Sequence, residues 1–376
     1  MKSFAVYLLS ASVLGQCDKN FDINSAEGLQ DLAKCSTVEA NVNIDIDISE
    51  IKLPALKKVK GDFFITGQET STIELISLEE VNGHFKVYDS LALDTLDVSK
   101  LAEAKEFSIL NSGSNLALDF KAGLKANRFT VSHSRVKSLN GLKLKEVELL
   151  NISGNTDLEL VNIPDLQTVN GPLTFEANPS AALELLNLTI VKGQLTLTGS
   201  MGAKLPKLKT LGGALSLDNT QFETISFEEL TSIGQFLSIA QNDVLKNVSF
   251  PALGEIKSSL NIQNNGKLVE IHFPMLKATD GFTILEGSAK VIELNKEFVS
   301  PGAANVTAAI DCDEFKKNRG DAFANVACKY SEDTPNTGNY TTGNGKPTSS
   351  KTSTTTSSDA RTLAGFSLLP LLLALL

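Results

Sequence analysis

The fold class predicted by this sequence is all-β: a right-handed parallel β-solenoid with coils of about 22 residues. Three observations carry that expectation. Short alternating apolar pairs recur at near-constant spacing, a Phe-Pro-x-Leu corner recurs with them at Phe250 and Phe273, and small residues mark where each strand begins. Period-2 alternation within an element says strand rather than helix. A fixed period of 20–30 residues says that each unit buries its apolar side only against its neighbours.

Taken in chain order, Met1–Gly15 (MKSFAVYLLSASVLG) has one lysine, an apolar run and small residues at its end. That is a secretory signal, with Val13 and Gly15 at the cleavage-site positions and Gln16 the first mature residue. Cys17 and Cys35 open the mature domain, and Cys312 and Cys328 close it. An even count in a secreted chain reads as disulfides. Of three connectivities, the local one, Cys17–Cys35 with Cys312–Cys328, is the simplest. Zinc would want ligands two to four residues apart, and neither pair has that spacing.

Between the cysteines run the repeats. The apolar pairs are Phe63/Ile65, Phe85/Val87, Phe107/Ile109, Phe129/Val131, Val147/Leu149, Leu173/Phe175, Leu195/Leu197, Leu215/Leu217, Leu237/Ile239, Leu260/Ile262 and Phe282/Ile284, with Val42/Ile44 as an earlier, irregular turn. Seven residues before most of them stands another apolar residue, such as Leu56, Leu78, Leu166 or Leu253, often with Pro two places earlier. Proline cannot donate to a ladder, so it belongs at a corner. Glycine before the strand, as in VKGDF and VNGPL, and asparagine after it, at 178, 219, 242 and 265, supply the other corners. A dozen coils at about 4.8 Å per rung make a rod of roughly 55 Å. A leucine-rich-repeat horseshoe is the alternative, since LSIAQNDVLKNVSF approaches that consensus. Against it, the rest of each coil is short, proline-interrupted and β-branched, which leaves little room for a back helix.

The residue between the members of each pair points outward. Seven of these eleven positions are Ser or Thr. The strip is flat and mostly uncharged, and reads either as a binding face or as β-propensity with hydroxyl ladders. From Ser331 to Ser358, 15 of 28 residues are Ser or Thr. Such a segment cannot pack a core and reads as an O-glycosylated stalk. The apolar tail Leu363–Leu376 is too short for a comfortable membrane span of about 20 residues. With small residues before it, it reads as a glycosylphosphatidylinositol (GPI) anchor signal, with Ser358 the best attachment residue within 349–358. The expected organisation is therefore signal 1–15, solenoid 16–330, stalk 331–358 and a removed anchor signal 359–376. Asparagines 151, 187, 247, 305 and 339 are N-glycosylation acceptors, while Asn178 is excluded by Pro179.

A formal net charge of −10 argues against nucleic acid or an anionic membrane surface as partner. His84, His133 and His272 are scattered, and no G-x-S-x-G, H-E-x-x-H, P-loop or G-x-G-x-x-G occurs. Asp45 with Asp47 and Glu79 with Glu80 are close acid pairs without a glycosidase-like setting. No catalytic residue, metal site or cofactor is expected.

In their order, the signal, the Cys17/Cys35 opening, the F-P-x-L and V-x-G repeats, the Cys312/Cys328 close, and the Ser/Thr stalk with its tail resemble the fungal GPI-anchored cell-wall organisation family of extracellular-mutant and sporulation-specific wall proteins. The resemblance implies a receptor-L-domain-like fold and a non-enzymatic role in wall integrity. It also implies residence at the outer leaflet of the plasma membrane or in the wall, with wall polysaccharide or wall proteins as possible partners and a lipid anchor as the membrane contact. Two other functions compete: a surface receptor or adhesin that binds along the solenoid face, and a wall-polysaccharide enzyme.

Overall fold

The structure, a computed structural model, describes residues 17–113, 115–300, 304–317 and 326–330, all within one compact unit spanning 1–341. The signal, Asn339, the stalk, Ser358 and the anchor tail lie outside the described residues. The fold is the β-solenoid. Fifteen parallel strands stack along one face, from Phe21–Ile23 through Phe63–Thr66 and Leu237–Ala240 to Val326–Tyr330. The solenoid therefore starts one coil earlier than the apolar pairs suggest. It also ends two coils later, on Ala304/Val306 and Val326/Cys328, whose small side chains escape a search for large apolar ones.

Each coil turns through up to three strands. The inward residues of the long face, Phe63/Ile65 through Leu260/Ile262, are almost fully buried. A second face stacks Ile51, Ile73 and Leu96, then Ile225, Val248, Ile271 and Ile292 further along. A third stacks Val147, Val169, Val191, Leu211, Ile233 and Ile256. The corner leucines Leu56, Leu78, Leu166 and Leu253 are also buried. Each large inward side chain contributes about 1.5–3 kcal/mol by leaving water, but only if the coils on both sides are in place. Phenylalanines sit at matching positions, so their rings meet: Phe85, Phe107 and Phe129 stack at 5.3–5.4 Å between centroids, and Phe227, Phe250 and Phe273 at 5.1–5.3 Å.

At two places the register differs from the sequence expectation. Phe129 and Val131 pair with Leu150 and Ile152, not with Val147/Leu149; Val147 belongs to the third face. Near the end, Leu260 and Ile262 pair with Thr283 and Leu285, which leaves Phe282 exposed where Phe282/Ile284 was expected inside. Alternation alone cannot choose between two neighbouring apolar pairs, because a one-residue slip exchanges the faces. Thr283 is tolerated inside because its hydroxyl meets Thr279 Oγ1 at 3.0 Å.

The polar corner after the long face is an internal ladder. Ser90, Ser112, Ser134, Asn155, Asn178, Ser200, Thr220, Asn242 and Asn265 are all buried. Asn242 Oδ1 accepts from Thr220 N at 2.7 Å, Asn265 Oδ1 accepts from Asn242 N at 2.9 Å, and Asn242 Nδ2 donates to Leu217 O at 2.8 Å. The same pattern joins Ser90, Ser112, Ser134, Asn155 and Asn178. Side chains thus satisfy the backbone that the corner would otherwise orphan. Asn219 is not a rung; it precedes Thr220 with φ +53. The residue before each rung is left-handed almost throughout, at Asp89, Asn111, His133, Gly154, Ala177, Gly199, Asn219, Gln241 and Asn264. The V-x-G glycines have another purpose: a Cβ on Gly193 would stand 2.6 Å from the Gly171 carbonyl oxygen on the adjoining coil.

The ends are closed. The helix Ala26–Leu32, capped by Ser25 Oγ accepting from Gly28 N, lies inside the Cys17–Cys35 disulfide, and Cys312 at the start of the helix Cys312–Lys317 is bonded to Cys328. No other helix occurs among the described residues, so the horseshoe alternative does not hold. A solenoid's end rungs carry unpaired strand edges, and these covers block edge-to-edge pairing.

Candidate functional site

The outward strip of the long face is the most extended feature the coils create. Because successive rungs are in register, Phe64, Lys86, Ser108, Thr130, Asn151, Thr174, Thr196, Ser216, Ser238 and Asn261 form one column. Asn151 takes the place expected for Glu148. Thr283, expected here, is turned inward, and Ile284 follows Asn261. No hydrogen bond joins one strip hydroxyl to the next. Ser108 and Ser238 are instead engaged by His84 and Asp218, and the one hydroxyl pair between adjoining rungs, Ser132 with Ser153 at 2.9 Å, lies in the neighbouring outward column, so a continuous hydroxyl ladder does not account for the Ser/Thr bias. Three buried polar atoms on this face have no protein partner: Asn151 Oδ1, Thr198 Oγ1 and Asn261 Oδ1. Asp218, at the strip's margin, accepts from Ser238 Oγ at 3.0 Å and Ala240 N at 2.9 Å, and burial pushes its carboxyl above the usual range.

The first-coil end of the strip is charged. His84 Nε2 and Ser108 Oγ hydrogen-bond at 2.8 Å, and the His84 ring meets Phe64 edge-on. Glu106 lies 3.9 Å from His84 Nδ1 and 3.5 Å from Arg128 Nε, while Arg128 also approaches Glu148 at 3.9 Å. Burial holds His84 below its ordinary value, outweighing the pull of Glu106. A serine–histidine–carboxylate relay needs the acid in hydrogen-bond reach of the ring and free donors for an oxyanion. Here Glu106 is drawn toward Arg128, and the strand Glu103–Leu110 is paired on both sides. The arrangement fits a surface ion network. Along the sequence His84 is one of three scattered histidines and nothing singles out this network; its signal is the recurrence of charged residues about one period apart, at His84, Glu106 and Arg128.

The remaining singled-out residues do not converge. His133 occupies a left-handed corner. His272 sits on the second face between Glu293 at 3.0 Å and Glu270 at 3.3 Å, and these carboxylates raise it. Asp47 accepts from Gln68 N at 2.7 Å, and Glu80 pairs with Lys58 at 2.7 Å. Among the described residues, no three His, Cys, Asp or Glu side chains are grouped to hold a metal ion. Of the sequons, Asn305 is exposed on the long face, Asn187 is exposed at a corner, and Asn247 is half-buried on the second face. Asn151 is half-buried within the strip itself. In a strand sequon the asparagine and its Ser/Thr share one face, so glycans at 151 and 305 would project from the long face.

Comparison with known proteins gives several fungal relatives. The chain is 27% identical over 237 residues to protein ecm33 of Aspergillus fumigatus, covering 62% of this chain and 59% of that one. It is 24% identical over 227 residues to the cell surface GPI-anchored protein ECM33 of Candida albicans, 59% and 55% of the two chains. It is 24% identical over 225 residues to the cell wall mannoprotein PST1 of Saccharomyces cerevisiae, 58% and 49% of the two. The matches thus span between about half and three-fifths of these relatives' lengths. No family model and no solved structure matches the chain.

Proposed function

We propose that this chain, a homologue of fungal GPI-anchored surface and wall proteins, is itself a non-enzymatic surface glycoprotein that supports the organisation and integrity of the cell wall. The observation that carries the reading is sequence similarity to proteins named for the cell surface and the wall. The solenoid supports it: a stiff rod with a long hydroxyl-bearing strip is suited to hold an extended polymer or a neighbouring wall protein. In this reading residues 1–15 direct secretion, 331–358 form a glycosylated stalk, and an anchor near Ser358 replaces the tail. Contact with the membrane is through the lipid alone.

The test is complementation in a strain lacking the gene, on a wall-binding dye. The full chain should restore growth. A form ending before Leu363 should be secreted and fail to restore it. Full rescue by the secreted form would overturn the requirement for local tethering. A second reading, a receptor or adhesin that binds an external ligand along the strip, is favoured by the half-buried Thr130 and Thr174, which stand in one outward column with Asn151 between them. Loss of ligand binding with unchanged wall strength, on substituting strip residues, would select it.

A further inference from the structure

We propose that the irregular middle coils form a binding groove for an anionic glycan, one bearing phosphate or carboxylate groups. This goes beyond the wall role and can be tested without it. The chain carries −10 overall, yet between Ser99 and Lys145 nine Lys or Arg stand against three Asp or Glu. Four of those nine basic residues meet at one place in the fold. A groove of about 660 Å³ runs across four coils and is lined by Lys105, Lys125, Lys143 and Lys145 together with Glu80, Glu103 and Glu146, Glu103 standing in register beside Lys125. All four lysines are exposed, and none has a carboxylate within 4.0 Å among the described residues. Glu80, at the first-coil end of the groove, is already neutralised by Lys58 at 2.7 Å, and Glu146 accepts from Asn170 Nδ2 at 2.7 Å.

The groove exists because the repeat is broken there. The third-face column, built from Val, Leu and Ile between Val147 and Ile256, is Ala104 and Ala126 in these coils, and the ladder slips between Ala104 and Glu106. The long strand Leu116–Ser132 replaces the proline corner. Gly123, at φ +83, leaves room for Lys143 to lie across it; a Cβ would stand 2.6 Å from Lys143 Cδ. Departures from a consistent pattern concentrate at functional sites. Neighbouring rungs lie about 4.8 Å apart, so the ammonium groups form a two-dimensional array that can follow a chain of repeated negative charges. Lysine suits this as a mobile point charge. The floor offers the exposed amides of Asn82 and Asn127, which both donate and accept and so match sugar hydroxyls. Its apolar residues, Val81, Ala104, Ala126 and Leu144, are all buried, so it has no sockets for peptide side chains.

The experiment measures binding of the secreted, folded domain to phosphorylated dextran, polygalacturonate, neutral dextran, inorganic phosphate and poly-glutamate. Binding to one or both anionic polysaccharides, weakened by salt and absent for neutral dextran, is expected. Lys125→Gln with Lys145→Gln should weaken it about tenfold, Glu103→Gln should tighten it, and Lys192→Gln with Lys257→Gln on distant coils should leave it unchanged. Preference between the two polymers identifies phosphate or carboxylate as the group read. Equal binding by the groove variants, binding to poly-glutamate or free phosphate alone, or no binding at all would each overturn the proposal. Circular dichroism of each variant separates lost binding from lost fold.

Discussion

The buried asparagines show how one residue holds a corner. Replacing Asn242 with Leu would orphan the Thr220 N–H and the Leu217 carbonyl. At about 1–3 kcal/mol for each unsatisfied group, a loss of about 2–5 kcal/mol is expected in denaturant titration. Asn242→Ser should cost less, because serine serves as a rung at Ser112 and Ser134. Ala177 occupies a left-handed corner at φ +51 with no side chain suited to it. Ala177→Gly should therefore stabilise by about 0.5–1 kcal/mol, and a lower melting temperature would refute this. The histidines give opposite pH signatures. His272 is raised above its ordinary 6.5 by Glu293 and Glu270, so its contribution is present below about pH 6.5 and is lost as pH rises through its folded value. His84 is lowered by burial, so its neutral form favours folding above pH 6.5, and that contribution is lost as pH falls through the same region. His272→Gln should reduce stability at pH 5.5 and leave it unchanged at pH 8, as read from urea midpoints.

A strand's two faces should respond very differently to the same charge. Leu237 and Ile262 are fully buried, and an unpaired carboxylate there costs several kcal/mol. Leu237→Asp should unfold its own and adjoining coils. Thr174, half-exposed between Asn151 and Thr196, should accept Asp with little change in melting temperature. Ser238, outward as the sequence suggested, is a poor site for that control, because its hydroxyl serves Asp218 and a second carboxylate there would face the first. Equal effects at Leu237 and Thr174 would show the register to be wrong.

Across the whole molecule, stability propagates from coil to coil, so the ends matter more than their size suggests. The disulfides close loops of 18 and 16 residues, and each is worth about 3 kcal/mol in the chain-entropy account. Cys17→Ser with Cys35→Ser should fray the first coils, with faster amide exchange at Phe21–Ile23 and Val42–Asp45 than at Leu237–Ala240. Uniform exchange along the rod would contradict the capping role.

The sequence by itself determined the period, the strand character and the inward column, because burial on one face of a strand must appear as alternation and stacking must appear as repetition. Alternation and spacing alone assign Phe63, Phe85, Phe107 and Phe129 to the interior. Tertiary structure decided what depends on which rung meets which. Leu150 rather than Val147 completes the long face, since two apolar pairs lay one slip apart. Asn178, Asn242 and Asn265 proved to be buried rungs whose neighbours Ala177, Gln241 and Asn264 take the left-handed corner expected of the asparagines themselves, because their hydrogen-bond partners lie some 22 residues away in sequence. The lysine groove also belongs to this second group. Lys105, Lys125, Lys143 and Lys145 are unremarkable singly along the chain, and only stacked coils bring them to one opening, since charges a full turn apart become neighbours across a few ångströms.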